Sequence, residues 1–134
     1  MRVFVYGTLK PGHANWHRLL RGRVSRWQAA KVPGRLLDLP VGYPAVVSGE
    51  GWVYGYVLHI PRPDLLAAVD ALEGYDPKGP PERNEYQRRV VPACTPAGAP
   101  LGRVYAYFMD EEKARRLGGE EVPGGVWRPL AGDG

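Results

Sequence analysis

A chain of 134 residues with a single cysteine, Cys94, forms no intrachain disulfide, and that usage fits a reducing compartment. Its residues are 44% hydrophobic and 24% charged, ordinary proportions for a soluble globular protein, and no apolar run approaches the ~20 residues of a membrane helix. The net charge of +4 raises the question of nucleic acid, but the arginines are scattered and no zinc-finger spacing, RNA-binding signature or basic tract accompanies them. A solvated basic surface is therefore favoured over a nucleic-acid site, with a weak affinity for anionic partners left open. One domain over residues 1–128 and a frayed Gly-rich tail at 129–134 are expected. The N-terminal apolar run is too short for a secretory signal, so a cytoplasmic protein is expected.

The chain opens MRVFVYGTLKPG. Val3–Tyr6 is apolar at every position, the mark of a strand buried on both faces, and it runs straight into Gly7-Thr8-Leu9. A short helix is expected over Asn15–Leu20, a second strand over Val24–Val32 before Pro33-Gly34, and a short strand at Ala45–Val47. The longest strand, Trp52–Ile60, is rich in aromatic and β-branched residues. PRPDLLAAVDALEG follows as the clearest helix: Pro63 suits its first position, Asp64 its positive end and Gly74 its stop. Residues 74–85 (GYDPKGPPERNE) read as loop, Tyr86–Val91 and Arg103–Phe108 as strands, and Glu111–Leu117 as a third helix. Mostly consecutive strands with few helices point to a mixed or antiparallel sheet in an α+β fold, open or closed as a barrel.

Turning the middle helix by about 100° per residue separates two acids. With Leu65 at zero, Leu72, Val69 and Leu66 fall within an arc of roughly 120°, and Glu73 lands near 80°, between Val69 and Leu66. Asp70, Ala67 and Ala71 take the opposite side. Glu73 thus points where the helix buries itself, in a last turn whose dipole disfavours a negative charge. Both conditions raise a carboxyl pKa towards the range useful for acid–base chemistry near neutral pH. Spacing alone leaves open whether Glu73 is catalytic or merely snorkels or pairs with an arginine.

Tyr6-Gly7-Thr8-Leu9 with Asn15 nearby, Tyr43-Pro44, the Val53–Ile60 strand, Leu72-Glu73-Gly74-Tyr75 and Tyr86-x-Arg88 occur in this order. In this the chain resembles the gamma-glutamylcyclotransferase-like family, which includes gamma-glutamylamine cyclotransferases. The resemblance implies a small mixed β-barrel with flanking short helices and a pocket between the Tyr6–Leu9 loop and Glu73. It implies that the loop's backbone N–H groups grip the carboxylate end of a small gamma-glutamyl substrate, that Glu73 is the acid–base residue, and that Tyr86 lines the pocket. The implied reaction releases 5-oxoproline through attack of the substrate's own α-amine on its γ-carbonyl, with no cofactor or metal. One departure stands out: the Pro-rich link between Glu73 and Tyr86 is long, which puts the leaving group in question.

Other residues have plainer readings. Cys94 lies in a loop-like PACTPAG context without a nearby histidine and reads as a structural thiol. His13 and His17 have a helical metal spacing, but no carboxylate completes a set. Tyr86 is also explicable as an ordinary strand aromatic, and the Tyr54/Tyr56 and Tyr105/Tyr107 pairs as core stripes. The rival to an enzyme is a binding module of the same fold that holds a carboxylate or other anionic metabolite without turnover.

Overall fold

In the computed structural model, which describes residues 1–128, the apolar strands close on one another instead of leaving free edges. β1 (Arg2–Val5), β2 (Trp27–Asp38), β3 (Pro44–His59), β4 (Gln87–Cys94) and β5 (Pro100–Phe108) pair in the cycle β1–β3–β2–β4–β5–β1, a five-stranded barrel. Neighbours around the cycle are antiparallel except at the β1–β5 seam, where Val3 pairs with Tyr105 in parallel. α1 (Pro63–Leu72) and α2 (Glu111–Arg116) flank the barrel, with a π-helical turn at Trp16–Leu20 and a 3-10 turn at Pro81–Arg83. A short strand that the sequence did not suggest, β6 (Glu120–Glu121), pairs with Leu37 and Asp38. No helix among the described residues is long and apolar enough to cross a membrane. The tail expected at 129–134 lies outside the described residues.

The uninterrupted apolarity of β1 follows from its having a core on each side. Alternate strand residues point to opposite faces. Val3 and Val5 join Leu9, Trp16, Leu20, Leu65, Leu66 and Val69 in a layer between barrel and helices. Phe4 and Tyr6 join Val32, Leu36, Val46, Val57, Ala106 and Phe108 in the other cluster. Each such aliphatic side chain contributes about 1.5–3 kcal/mol on burial, so β1 is anchored from both sides and the loop that follows inherits that rigidity.

Several bounds differ from expectation: β2 begins at Trp27 and not at Val24, β4 runs on to Cys94, which its PACTPAG context suggested was loop, and β5 begins at Pro100. β2 does not end before Pro33-Gly34 but runs through to Asp38, with a register shift between Pro33 and Arg35. Pro33 stays in register with Trp52, and Gly34 alone faces residues 48–51 of β3, so the irregularity lies just beyond the proline. Likewise the expected short strand at Ala45–Val47 and the strand Trp52–Ile60 are parts of one 16-residue strand, β3, which pairs with β2 on both sides of that irregularity. The turn between β2 and β3 brings Tyr43 and Pro44 to the end of β1.

Candidate active site

Where β1 ends, the chain makes a tight turn in which the Lys10 N–H donates to the Gly7 carbonyl at 3.0 Å. The Thr8 carbonyl accepts from the N–H groups of Asn15 and Trp16, and the Asn15 side chain donates to the Thr8 hydroxyl at 2.7 Å. With carbonyls so engaged, the N–H groups of Gly7, Thr8 and Leu9 donate to no protein acceptor among the described residues. Successive unclaimed N–H groups form an anion-binding concavity. Gly7 is required here by its neighbour: a Cβ would lie 2.9 Å from the Pro44 ring. Lys10 then turns away, burying its ammonium against the Trp127 carbonyl at 2.8 Å, while the Trp127 indole donates to Asp38 at 3.0 Å.

α1 delivers Glu73 from another direction. Glu73 caps the helix, and Gly74 follows with φ +63, the left-handed value that ends a helix. The Tyr75 N–H donates to Asp70 O at 2.9 Å and the Gly74 N–H to Ala71 O at 3.1 Å, the double closure of a Schellman motif. The chain leaves the helix so sharply that the Glu73 side chain stays directed at the barrel end.

These pieces share one cavity of about 190 Å³, whose wall includes Tyr6, Gly7, Thr8, Leu9, Glu73 and Tyr86, all the site residues expected from sequence. Asn15, Tyr43 and Glu85 complete its polar lining, and the Pro44 ring adds an apolar face. The Glu73 carboxylate hydrogen-bonds to no protein group among the described residues, and no wholly enclosed side-chain oxygen there lacks a partner, so its oxygens open onto the cavity. Burial, with the nearby Glu85 charge adding to it, pushes its pKa up to about 8.

The tyrosines around it are structural in their hydroxyls and apolar in what they show the cavity. Tyr6 donates to Tyr107 O at 2.7 Å and accepts from the Val46 N–H; Tyr86 donates to Pro44 O at 2.6 Å. Burial raises the pKa of both, with Glu73 adding to the effect. Both remain neutral walls at ordinary pH. Tyr43 donates to the Glu85 carboxylate, and burial followed by that bond pushes its pKa up to about 12.

Arg88 of the Tyr-x-Arg motif lies elsewhere. It pairs with Asp70 at 2.6 Å and stacks over Tyr105, 4.6 Å from the ring centre. Asp70 also accepts from the Tyr107 hydroxyl at 2.5 Å, so it is buried, not solvent-facing as its helical position suggested. On the wheel it lies only about 40° beyond Leu66, and β4 and β5 cover that flank.

The long link after Glu73 folds back on the outer face of α1. The Glu85 N–H donates to Gly74 O at 3.0 Å, and the Asn84 amide bridges Asp76, pinching the neck of the loop shut. Residues 76–83 therefore contribute nothing to the cavity wall; the link brings it Glu85 alone. Glu85 was missed at the level of sequence, although its place beside Tyr86, itself a pocket residue, was the available signal. His13 packs against Trp127, His17 contacts the Gly12 carbonyl, and Cys94 is half-buried near the Lys31 carbonyl.

The architecture and the residue pattern both have relatives. A human gamma-glutamylaminecyclotransferase is 44% identical over 59 residues, which are 44% of this chain and 35% of that protein, so the match spans about a third of the human protein's length. Among solved structures, YkqA from Bacillus subtilis superposes with a TM-score of 0.65 at 23% identity over 94% of this chain and 39% of its own. An Arabidopsis thaliana protein solved in solution gives 0.61 at 29% identity over 81% and 67%. An aig2-like protein from Mus musculus gives 0.59 at 20% identity over 81% and 76%, a likeness that establishes the fold. The family model described as gamma-glutamyl cyclotransferase, AIG2-like, matches residues 3–129, and the chain belongs to that family.

Proposed function

We propose that the cavity converts a small gamma-glutamyl compound into 5-oxoproline and a free amine or amino acid. The observation that carries this reading is the Glu73 carboxylate, without a partner among the described residues, opening onto the cavity that the Gly7–Leu9 loop also lines. The loop N–H groups take the substrate's α-carboxylate. Glu73, ionised, accepts a proton from the α-ammonium. The freed amine attacks the γ-carbonyl, a C–N bond closes the five-membered ring as the ring nitrogen gives its second proton to solvent, and the old γ-amide bond breaks as Glu73 returns its proton to the departing nitrogen. Nucleophile and electrophile belong to one molecule, so the protein's main task is to fold the substrate. Well-oriented intramolecular reactions reach effective molarities of ~10⁵ M or more, and proton transfer adds ~10²–10⁴-fold.

The test is 5-oxoproline release from a panel of gamma-glutamyl amino acids, gamma-glutamylamines and glutathione. Glu73 must be ionised to take the first proton, so kcat/KM is expected to rise with pH through about 8, and Glu73→Gln is expected to lose that limb and most of the rate while remaining folded. A Glu73→Gln protein that keeps the wild-type turnover overturns the role of Glu73. No release from any member of the panel by folded protein overturns the enzyme reading in favour of a binding module.

A further inference from the structure

Among the described residues, the cavity wall carries two carboxylates, Glu73 and Glu85, and no lysine, arginine or histidine. On the reading above, which this inference rests on, the glutamyl end of the substrate brings one carboxylate and one ammonium. The loop N–H groups match the first and Glu73 the second. That leaves Glu85 uncompensated. Its carboxylate makes no ion pair within the described residues and takes only the neutral Tyr43 hydroxyl. The nearby Lys113 ammonium donates instead to the backbone carbonyls of Asn84 and Glu85, at 3.1 and 3.0 Å, and so fixes the segment from behind.

The placement of Glu85 is a built feature. Its backbone is tied to Gly74, one residue beyond Glu73, and its Oε2 lies 3.4 Å from where a Gly74 Cβ would be. The loop neck is held by the Asp76–Asn84 bridge, so Glu85 is anchored on three sides while its side chain lines the cavity. Tyr43 and Glu85 are both half-buried, so solvent reaches their pair at the cavity wall. A half-exposed carboxylate without a cation, at the wall of a cavity that must also admit a leaving group, is complementary to positive charge and repels negative charge.

We propose that Glu85 selects the leaving group: the substrates of this cavity are gamma-glutamyl amides of amines that carry a second, protonated nitrogen. Leaving groups bearing a carboxylate are disfavoured by the same residue.

Three gamma-glutamyl amides of matched length test this, with an aminoalkyl, an alkyl and a carboxyalkyl tail. In the wild-type protein kcat/KM is expected to favour the aminoalkyl amide over the alkyl amide by about tenfold, the worth of one charge-assisted hydrogen bond in a half-exposed place, with the carboxyalkyl amide slower still. Glu85→Gln, which keeps the shape and the backbone ties, is expected to bring the aminoalkyl and alkyl amides within about twofold of each other while still releasing 5-oxoproline. Glu85→Asp is expected to keep part of the preference. Calorimetric binding of the three amides to the wild-type and Glu85→Gln proteins gives the same comparison without turnover.

Equal rates or affinities for the three tails in wild type, or a preference that survives Glu85→Gln, overturn the inference. No 5-oxoproline from any amide overturns the proposed function instead, and the binding comparison then decides the role of Glu85 by itself.

Discussion

Asp70 and Glu73 stand three residues apart at the same end of α1, and their surroundings differ completely. Asp70 is the more deeply buried, yet both its oxygens are occupied, one by Arg88 at 2.6 Å and one by the Tyr107 hydroxyl at 2.5 Å. Glu73 has no partner among the described residues and a second carboxylate near it, and its pKa rises to about 8. Burial with a partner keeps a carboxylate ionised and structural; burial without one raises its pKa. The two depend on each other. The Asp70 side chain clamps α1 to β4 and β5 while its carbonyl closes the Schellman turn, so the helix end that carries Glu73 is held by its neighbour.

The sharpest way to break this contrast is to neutralise each acid in turn. Glu73→Gln is expected to lower turnover by ~10²–10⁴-fold and to leave the fold intact. Its effect on stability has a definite sign. The folded-state pKa is raised from 4.5 to about 8, so the wild-type protein gains from protonation below about 4.5 and loses that contribution as pH rises through 8. Glu73→Gln removes this decline, and denaturant midpoints of the two proteins across pH 4–9 check it. Asp70→Ala is expected to do the reverse, costing about 3 kcal/mol of stability because Arg88 and Tyr107 lose their shared acceptor, as read by urea unfolding.

Smaller changes sharpen the picture. Tyr6→Phe removes the donor to the Tyr107 carbonyl and the acceptor of the Val46 N–H, for about 1–2 kcal/mol of stability with the Glu73 pH limb retained. Gly7→Ala forces a Cβ to within 2.9 Å of the Pro44 ring. It is expected to cost roughly 1 kcal/mol of stability and to raise KM more than it lowers kcat, since the loop N–H groups shift while Glu73 does not.

Much of this was legible in the sequence, and what was not has specific reasons. Glu73 could be found because local periodicity determines which way a helical side chain points. Asp70 was assigned to solvent by the same rule, because the residues that cover it come from 18 and 37 positions further along the chain. The barrel strands were recognisable by composition, whereas the continuity of β2 and β3 was not. Pro33-Gly34 and Ser48–Gly51 carry the chemistry of turns, and only the pairing of the two long strands makes them a bulge and a strand interior. Glu85 depended on how a long loop closes on itself, which its proline-rich composition did not disclose.

The Lys10 tether to Trp127 couples the site loop to almost the other end of the described chain. Synthesis proceeds from the N-terminus, so Lys10 emerges 117 residues before the Trp127 carbonyl it holds. The barrel strands are all present once Phe108 has been made, while Lys10, just beyond the Gly7–Leu9 turn, still lacks that acceptor. The tether on the turn is therefore added to strands that have already been made.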